Sequence, residues 1–493
     1  MQVSVNRKNI KFSPDASRVI ARFLYTSDER ALSTIRSVLV LSKYEASQAL
    51  SPVLRDFSMR HRNISKIFER HFNRIAPLLK LLNINPESLD VSQKILIGSY
   101  FTMEYSIESA AFFNPSIVEH PDQSETGTDE KRVILSFRAT GEGHISSIVF
   151  RTGVLDKNNN LTVEPVGNML EEAEHIRRHV YHKKSFKKKL DEMKDINALI
   201  PSALILDKLN DKFTYGELRD CIKDARKSLH LTTDKEILFN QIIWLASSHY
   251  ELDFSLDTNI SERVIFPVSL NEKNGIEDAR FVKFTDDNDE TIYYATYTAY
   301  DGTTIMPKLL DTRDFYHFHI LPLHGEIAQN KGMALFPRKI NGKYTMLCRL
   351  DGFNNYISFS EKINVWREAK LLQQPRFPWE LIQIGNGGSP IETPEGWLVI
   401  THGVGPMREY TLGASLFDLQ NPEIEIGRLK SPLLVPNATE REGYVPNVVY
   451  TCGSMIKNDD LIIPYAMSDY ASTYATVNVR ELLNELKNSK PGV

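Results

Sequence analysis

The residues of this chain best suited to chemistry stand in Asn274-Gly275-Ile276-Glu277-Asp278-Ala279-Arg280. Two adjacent carboxylates and an arginine sit where a turn gives way to the apolar run Phe281-Val282-Lys283-Phe284, which places an acid at the mouth of a β-rich fold. Asp278 is the candidate general acid, a carboxyl group that can protonate a leaving oxygen if a nucleophile or base faces it. Arg280 shares a strand face with Asp278 if the strand has already begun there, and from that face it can pair with the carboxylate or bind substrate. Basic groups follow downstream: Lys331 ahead of Gly332 to Pro337, Arg349 at the end of Tyr344 to Cys348, and His402 at the end of Trp397 to Thr401. Singly, such residues serve as turn formers, surface ion pairs or solvated strand ends. Chemistry requires them to converge in space.

The elements that must position them belong to a large soluble-type chain. At 493 residues, with 42% hydrophobic and 25% charged residues, the composition allows a main domain with a sizeable core plus an accessory part. The 59 basic residues against 63 acidic ones give a net charge of −4, which offers no global footprint for nucleic acid or an anionic membrane. Cys221, Cys348 and Cys452 are far apart with no Cys-x-x-Cys, so a reducing compartment suits them better than a disulfide framework. The first residues lack the apolar core of a signal peptide, and no run approaches the ~20 apolar residues of a membrane helix. The expectation is a cytoplasmic protein.

Residues 1–28 read as an arm with strand-like Phe12. Helical periodicity begins at Ser27-Asp28-Glu29-Arg30 and continues through Leu32, Ile35, Val38, Leu39 and Tyr44. A second helix is expected over Ile64 to Leu82 and a third over Ser92 to Ala110, with Pro52 and Pro86 marking breaks. From Phe112 the texture turns to short strands, then from Glu171 to about Leu252 to a charged helical insertion without strands. Strands return after Asp278 at even spacing, among them Thr291 to Thr298, Phe315 to Ile320, Tyr344 to Arg349, Tyr356 to Phe359, Gly413 to Phe417 and Leu461 to Tyr465. Such spacing fits a propeller or sandwich. Val479 to Leu486 reads as a terminal helix. Glu171, Glu172, His175, His179 and His182 can line one helix face at metal-like spacing. They sit among Arg177, Arg178, Lys183, Lys184, Lys187, Lys188 and Lys189, so a solvated charged helix is the reading and no metal is expected. That basic run lacks the aromatic platform of a nucleic-acid site. The glycine-rich Gly385 to Pro390 precedes a strand rather than a helix, so it is expected to give close backbone approach to a ligand, not a phosphate loop.

Several blocks together resemble glycoside hydrolase family 130, the β-mannoside phosphorylases and β-mannosidases. Glu277-Asp278-Ala279-Arg280 is similar to the family's Glu-Asp-Pro-Arg, with Ala279 in place of proline. Tyr297 to Asp301, Ala334 to Pro337, Gly396-Trp397-Leu398 with His402-Gly403-Val404, Tyr410 with Leu412-Gly413-Ala414, and Gly443 to Val449 follow in the family's order. The resemblance implies a five-bladed β-propeller, here with an N-terminal arm and helical extension over 1–110. Residues 111–170 would be the first part of the propeller, 171–259 the helical insertion, and 260–493 the remainder with its terminal helix. It implies an inverting reaction without cofactor, in which Asp278 protonates the glycosidic oxygen by relay through the mannosyl 3-hydroxyl, and inorganic phosphate yields α-mannose 1-phosphate.

Four positions match the family's phosphate ligands: Lys331, Arg349, Gln383 and His402. Two of them depart from the pattern, since Lys331 keeps a charge without the bidentate fork of arginine and Gln383 keeps a donor without a charge. Sugar contacts are implied for Asn114, Arg138, Glu277, Arg280, Asp301, Tyr410 and Asp469, with turn capping an equal role for Asp301 and Asp469. Hydrolysis with Glu380 or Glu392 as base is the alternative, and a non-catalytic sugar-binding propeller a second one. A β-mannoside and phosphate are the expected partners, with neither nucleic acid nor membrane, in a homo-oligomer built through the helical extension.

Overall fold

The computed structural model describes residues 3–489 apart from 168, 174, 179, 193–201, 229 and 231. The fold is mainly β. Among the described residues, five sheets of four or more strands succeed one another along the chain, antiparallel except for the parallel pairing of Arg263–Ile265 with Glu171–Glu172 in the first. The first is led by Ala111–Glu119, Lys131–Thr140 and Ser146–Leu155, and the second by Gly275–Thr285, Thr291–Tyr300, Ile305–Thr312 and His317–Pro322. The third runs from Ala334–Leu335 through Tyr344–Cys348 and Asn355–Ser360 to Ala369–Gln373. The fourth contains Gln383–Asn386, Gly396–Val404, Tyr410–Phe417 and Glu425–Arg428, and the fifth Val449–Tyr450, Asp460–Met467 and Ala471–Asn478. Each sheet packs against the next, and the fifth returns onto the first through Asp460–Met467 and Ala111–Glu119. The N-terminal strand Val5–Arg7 completes the fifth sheet by pairing with Ala471–Asn478, so the two ends of the chain share one sheet. Ala111–Glu119 and Gly396–Val404 are buried on both faces, so they read as nearly continuous apolar runs, whereas His317–Pro322 alternates between buried and exposed positions.

The extension holds the helices Asp28–Leu39, Lys43–Ser58, Ile64–Ile75 and Val91–Tyr100, which bury Ile35, Leu50, Phe72, Ile75 and Ile97 in a core of their own. Pro52 lies inside Lys43–Ser58 and does not break it. The third expected helix stops at Tyr100, after which Thr102–Ser106 pairs with Val19–Phe23 as a small sheet. A buried ion cluster fastens this region to the first sheet: Arg18 Nε and Arg151 Nη2 each donate to Glu108 at 2.7 Å, and Arg18 also reaches the carbonyls of Gly167 and Ser261.

The segment 171–259 contains the helices Lys183–Glu192, Tyr215–Ser228 and Thr233–Ser247 around Phe186, Ile222, Phe239 and Ile242. It is not free of strands. Glu171–Glu172, His175–Arg178 and Val180–His182 are strands where a charged helix was expected, so the metal-like spacing along one helix face does not arise; His179 lies outside the described residues. His175–Arg178 pairs with Tyr250–Asp253, which pairs in turn with His317–Pro322, so the insertion widens the second sheet. At this junction Lys308 Nζ donates to Glu272 at 2.7 Å with both side chains fully buried, and the hydroxyls of Tyr250 and Tyr297 donate to the same carboxylate. Burial alone would raise the Glu272 carboxyl, but Lys308 and the Ser269 donors hold it down to about 2.

Replacing Lys308 by methionine leaves that carboxylate buried without its cation, an expected loss of about 3–5 kcal/mol in denaturant unfolding. Glu272→Gln together with Lys308→Met should recover much of the loss.

Candidate active site

The chemistry-bearing residues gather at one end of the sheets. Phe113 is paired with Arg138, Gly275 with Tyr300, Gly385 with His402 and Val449 with Met467, so each position lies near the same terminus of its hairpin. Two strands break register there, between Phe113 and Ser116 and between Glu277 and Arg280. At these bulges Asn114 and Asp278 take left-handed backbone conformations, with φ +50° and +56°. Asparagine and aspartate tolerate that region better than other side chains, and strain of this kind persists where a site fixes it. The bulges turn the two side chains toward each other, and Asn114 Nδ2 donates to Asp278 Oδ1 at 2.7 Å.

The bulge also corrects the expectation for Arg280. It does not share a regular strand face with Asp278, because the register shift separates them. Its guanidinium donates to the Asn386 carbonyl at 2.9 Å, to Asn386 Oδ1, and to the Tyr450 hydroxyl at 2.7 Å. Arg138 donates to Glu277 at 2.8 Å and stands 3.5 Å from Asp278, while Lys331 Nζ closes on the other oxygen of Glu277. Burial pushes the Asp278 carboxyl up. The charges of Arg138, Lys331 and Arg280 and the Asn114 amide outweigh it, so its pKa falls below the ordinary carboxylate range.

Across from this acid lies a set of donors. His402 is buried, with Nδ1 3.2 Å from the Asn386 carbonyl. Burial first, then Arg349 and Arg280, hold its pKa well below the ordinary value, so the imidazole is neutral. The Gln383 amide oxygen faces both Arg349 Nη1 and His402 Nε2, and its nitrogen reaches the Gly352 carbonyl at 3.2 Å. Tyr410 and Tyr450 flank His402, with ring centroids at 6.0 and 4.9 Å. Tyr450 joins the two halves, since its hydroxyl accepts from Arg280 and its phenol lies in the field of both Asp278 and Arg349. Asn114 Oδ1, Arg138 Nε and Arg349 Nε are buried without a hydrogen-bond partner. Orphaned polar atoms on both sides of one cleft are what hydroxyl or phosphoryl oxygens of a ligand would satisfy.

Asp469, at φ +52° in the turn after Asp460–Met467, faces the same cluster. Burial, and then the Asp278 charge, push its carboxyl up to about 6 against the pull of Arg138 and Arg408. Asp301 behaves differently. Its oxygens accept from the amides and hydroxyls of Thr303 and Thr304, which hold it near 2 against burial, so it caps its own turn. Both candidate water-activating glutamates have arginine partners. Glu380 Oε1 accepts from two amides and Arg428, and Glu392 forms a two-pronged pair with Arg338. Gly385 also has another reason than ligand approach, for a Cβ there would stand 2.2 Å from the His402 ring. Sequence reasoning missed Asn386 and Tyr450. Asn386 was hidden in the glycine-rich stretch, and Tyr450 stands one residue past the block Gly443 to Val449.

Residues 239–488 match a family described as beta-1,4-mannooligosaccharide phosphorylase, glycoside hydrolase family 130. The chain belongs to glycoside hydrolase family 130. Among its relatives in that family, a 1,2-beta-oligomannan phosphorylase of a Thermoanaerobacter species is 35% identical over 225 residues, 44% of this chain and 74% of that one. A beta-1,2-mannobiose phosphorylase of Listeria innocua is 30% identical over 243 residues, 48% of this chain and 65% of that one. A solved structure of a Listeria innocua beta-1,2-mannobiose phosphorylase with beta-1,2-mannobiose aligns at 22% identity and TM-score 0.46, covering 78% of this chain and 94% of that one. These family 130 relatives are glycoside phosphorylases, and the chain is an enzyme of that class.

The raised carboxyl of Asp469 yields a stability prediction. Between its ordinary 3.8 and about 6 the folded state keeps a proton that the unfolded chain has released, so folding loses stability as pH climbs through that window. Asp469→Asn is expected to raise the melting temperature at pH 8 and to change it little at pH 4.

Proposed function

We propose that this enzyme is an inverting β-mannoside phosphorylase, with Asp278 as general acid and Arg349, His402, Gln383 and Lys331 as the phosphate pocket. The carrying observation is the placement of the Asp278 carboxylate in a bulged strand, opposite donors from two other sheets, with Glu380 and Glu392 paired with arginines elsewhere. We read the five sheets as blades of a five-bladed β-propeller, supported by their serial packing and by the closure of the fifth sheet with the N-terminal strand. The site then lies at one end of the propeller axis, where strand termini from all blades approach one another.

In this reaction an oxygen of hydrogen phosphate dianion attacks the anomeric carbon as the bond from that carbon to the glycosidic oxygen breaks. The leaving oxygen takes the Asp278 proton, through the mannosyl 3-hydroxyl as the family resemblance implies. The phosphate's own proton restores Asp278, so the products are α-mannose 1-phosphate dianion and the free acceptor sugar. Arg138 and Glu277 fix Asp278, and His402, whose Nδ1–H is taken up by the Asn386 carbonyl, donates to phosphate from Nε2 when the dianion's charge draws a second proton onto the ring. In this reading Asn114, Arg138 and Asp469 hold mannosyl hydroxyls, and Arg349 supplies the pocket's fixed charge.

We place the enzyme in a reducing, phosphate-rich cytoplasm, supported by three free thiols, Cys221, Cys348 and Cys452. Among the described residues no helix is long and apolar enough to cross a membrane. A homo-oligomer through the extension is supported by its exposed Val40, Tyr44, Met59 and Leu81.

Phosphate dependence tests the proposal. A panel of β-1,2-, β-1,3- and β-1,4-mannobiose should give α-mannose 1-phosphate only with phosphate present, and Asp278→Asn should lower kcat by at least ~100-fold. Equal sugar release without phosphate would make the enzyme a hydrolase, and binding without turnover a sugar-binding protein.

The pH profile is a separate check. Bound phosphate offsets the cations that hold Asp278 ionised, so the carboxyl pKa must rise in the complex. The basic limb of kcat at saturating phosphate should therefore lie at higher pH than the basic limb of kcat/KM for phosphate.

A further inference from the structure

The end of the molecule that carries Asp278 also carries two rings without a structural task. Tyr444 is 68% exposed, His144 is exposed, and their centroids lie 5.7 Å apart with planes inclined at 32°. Exposed tyrosines are common. The manner in which this one is held is not.

The segment under Tyr444 is fixed from below by buried groups. Glu440 accepts from Arg7 at 3.0 Å, from the Tyr465 hydroxyl at 2.7 Å and from the Asn437 amide at 2.9 Å. Its own carbonyl accepts from Ser468 Oγ at 2.6 Å. Val445 N–H donates to the Ser468 carbonyl at 3.0 Å, and Tyr410 N–H donates to the carbonyl of Asn447, also at 3.0 Å. A Cβ on Gly443 would stand 2.4 Å from the Ser468 carbonyl oxygen, so only glycine lets the segment press this closely on the turn that bears Asp469. On the other side, His144 is held at φ +59° in a tight loop where Gly141 N–H donates to Ile145 and the Tyr105 hydroxyl to Glu142. The backbone under each ring is thus fixed, and the two rings offer apolar faces beside Asp469 and beyond the strand end that carries Arg138.

Their side of the cleft follows from the reaction. Arg349, Gln383 and His402 belong to the third and fourth sheets, whereas His144 and Tyr444 border the first and fifth. In an inverting displacement the nucleophile and the leaving group occupy opposite faces of the anomeric carbon. With phosphate at Arg349 and His402, the leaving sugar is directed toward the two rings.

We propose that Tyr444, backed by His144, is the stacking platform for the leaving sugar, which is also the acceptor in the reverse direction. The platform rests on the phosphorylase reading and supplies its acceptor subsite. A flat ring recognises the apolar face of a pyranose rather than one hydroxyl pattern. It therefore admits mannose or a longer mannoside whose next residue runs out over the exposed edge.

Two measurements on the full chain test this. In synthesis from α-mannose 1-phosphate, Tyr444→Ala should raise the acceptor KM about tenfold while the KM values for phosphate and α-mannose 1-phosphate stay within about twofold. Tyr444→Phe should behave as wild type, which separates the ring from its hydroxyl and controls for folding. An acceptor KM within about twofold of wild type in Tyr444→Ala would overturn the platform while leaving phosphorolysis intact. The second measurement is saturation-transfer NMR of mannobiose on Asp278→Asn with and without Tyr444→Ala. Loss of saturation at the reducing-end sugar alone supports the platform, even if the wild type proves hydrolytic or inert. Unchanged saturation at both sugars, or no bound mannobiose on either protein, overturns it.

Discussion

Asn114 and Asp278 meet because two strands in adjoining sheets break register at the same level, and most of the site depends on that coincidence. In a regular strand the side chain at 278 would alternate between the two faces of its own sheet. The left-handed conformation takes it out of the alternation and points it into the space between sheets. The Asn114 amide then fixes its rotamer with one hydrogen bond. Conformations of this kind cost on the order of 1–3 kcal/mol each, and they persist only where surrounding structure over-determines them. Here that structure is the ion group of Arg138, Glu277 and Lys331, together with the Arg280 anchor on Asn386.

The same ion group sets the protonation states. Three carboxylates (Glu277, Asp278, Asp469) face four cations (Arg138, Arg280, Lys331, Arg349) in a partly desolvated space, and the field divides them. Asp278, in contact with Asn114 and close to Arg138, is pulled down, whereas Asp469 is pushed up by burial and by the Asp278 charge. Divergent environments for neighbouring carboxyls are a mark of acid–base sites, because one group can carry a proton while the other holds a hydrogen bond. His402 stays neutral for a related reason: burial and two guanidinium neighbours leave no stable place for another positive charge.

Local patterns made much of this legible. The even spacing of Thr291 to Thr298, Tyr344 to Arg349 and Leu461 to Tyr465 reports hairpins directly, and their ends locate Arg349 and His402 at one terminus. What periodicity could not report is register between strands. Nothing local in Glu277-Asp278-Ala279-Arg280 signals a bulge, beyond the tolerance of aspartate for positive φ, and so spacing alone puts Arg280 on the face of Asp278 once the strand has begun, where the register shift does not. The strands at 171–182 escaped notice because they are short, rich in charge, and stabilised by partners such as Tyr250–Asp253 that are remote in sequence. Pro52 misled in the opposite direction. Its ring removes one backbone donor, but the packing of Ala46 and Leu50 into the extension's core carries the helix across it. Asp301 is a position where capping, visible in Asp301-Gly302-Thr303-Thr304, was the correct local inference.

The two departures from the family's phosphate ligands acquire a physical sense from the same geometry. A cation at position 331, placed to hold a phosphate, also acts on Asp278 and helps to keep its carboxyl ionised, which opposes its use as an acid. An ammonium at Lys331 is tied to Glu277, so part of its charge is already balanced. A neutral amide at Gln383 accepts from Arg349 and faces His402, which orients both donors without adding charge. In the proposed reaction these substitutions weaken the grip on phosphate and, by the same amount of field, ease the return of a proton to Asp278. A pocket with two more arginine forks would bind the anion more firmly and load its acid less readily. With Lys331 and Gln383 the balance moves toward proton loading, and the hold on the anion rests chiefly on Arg349.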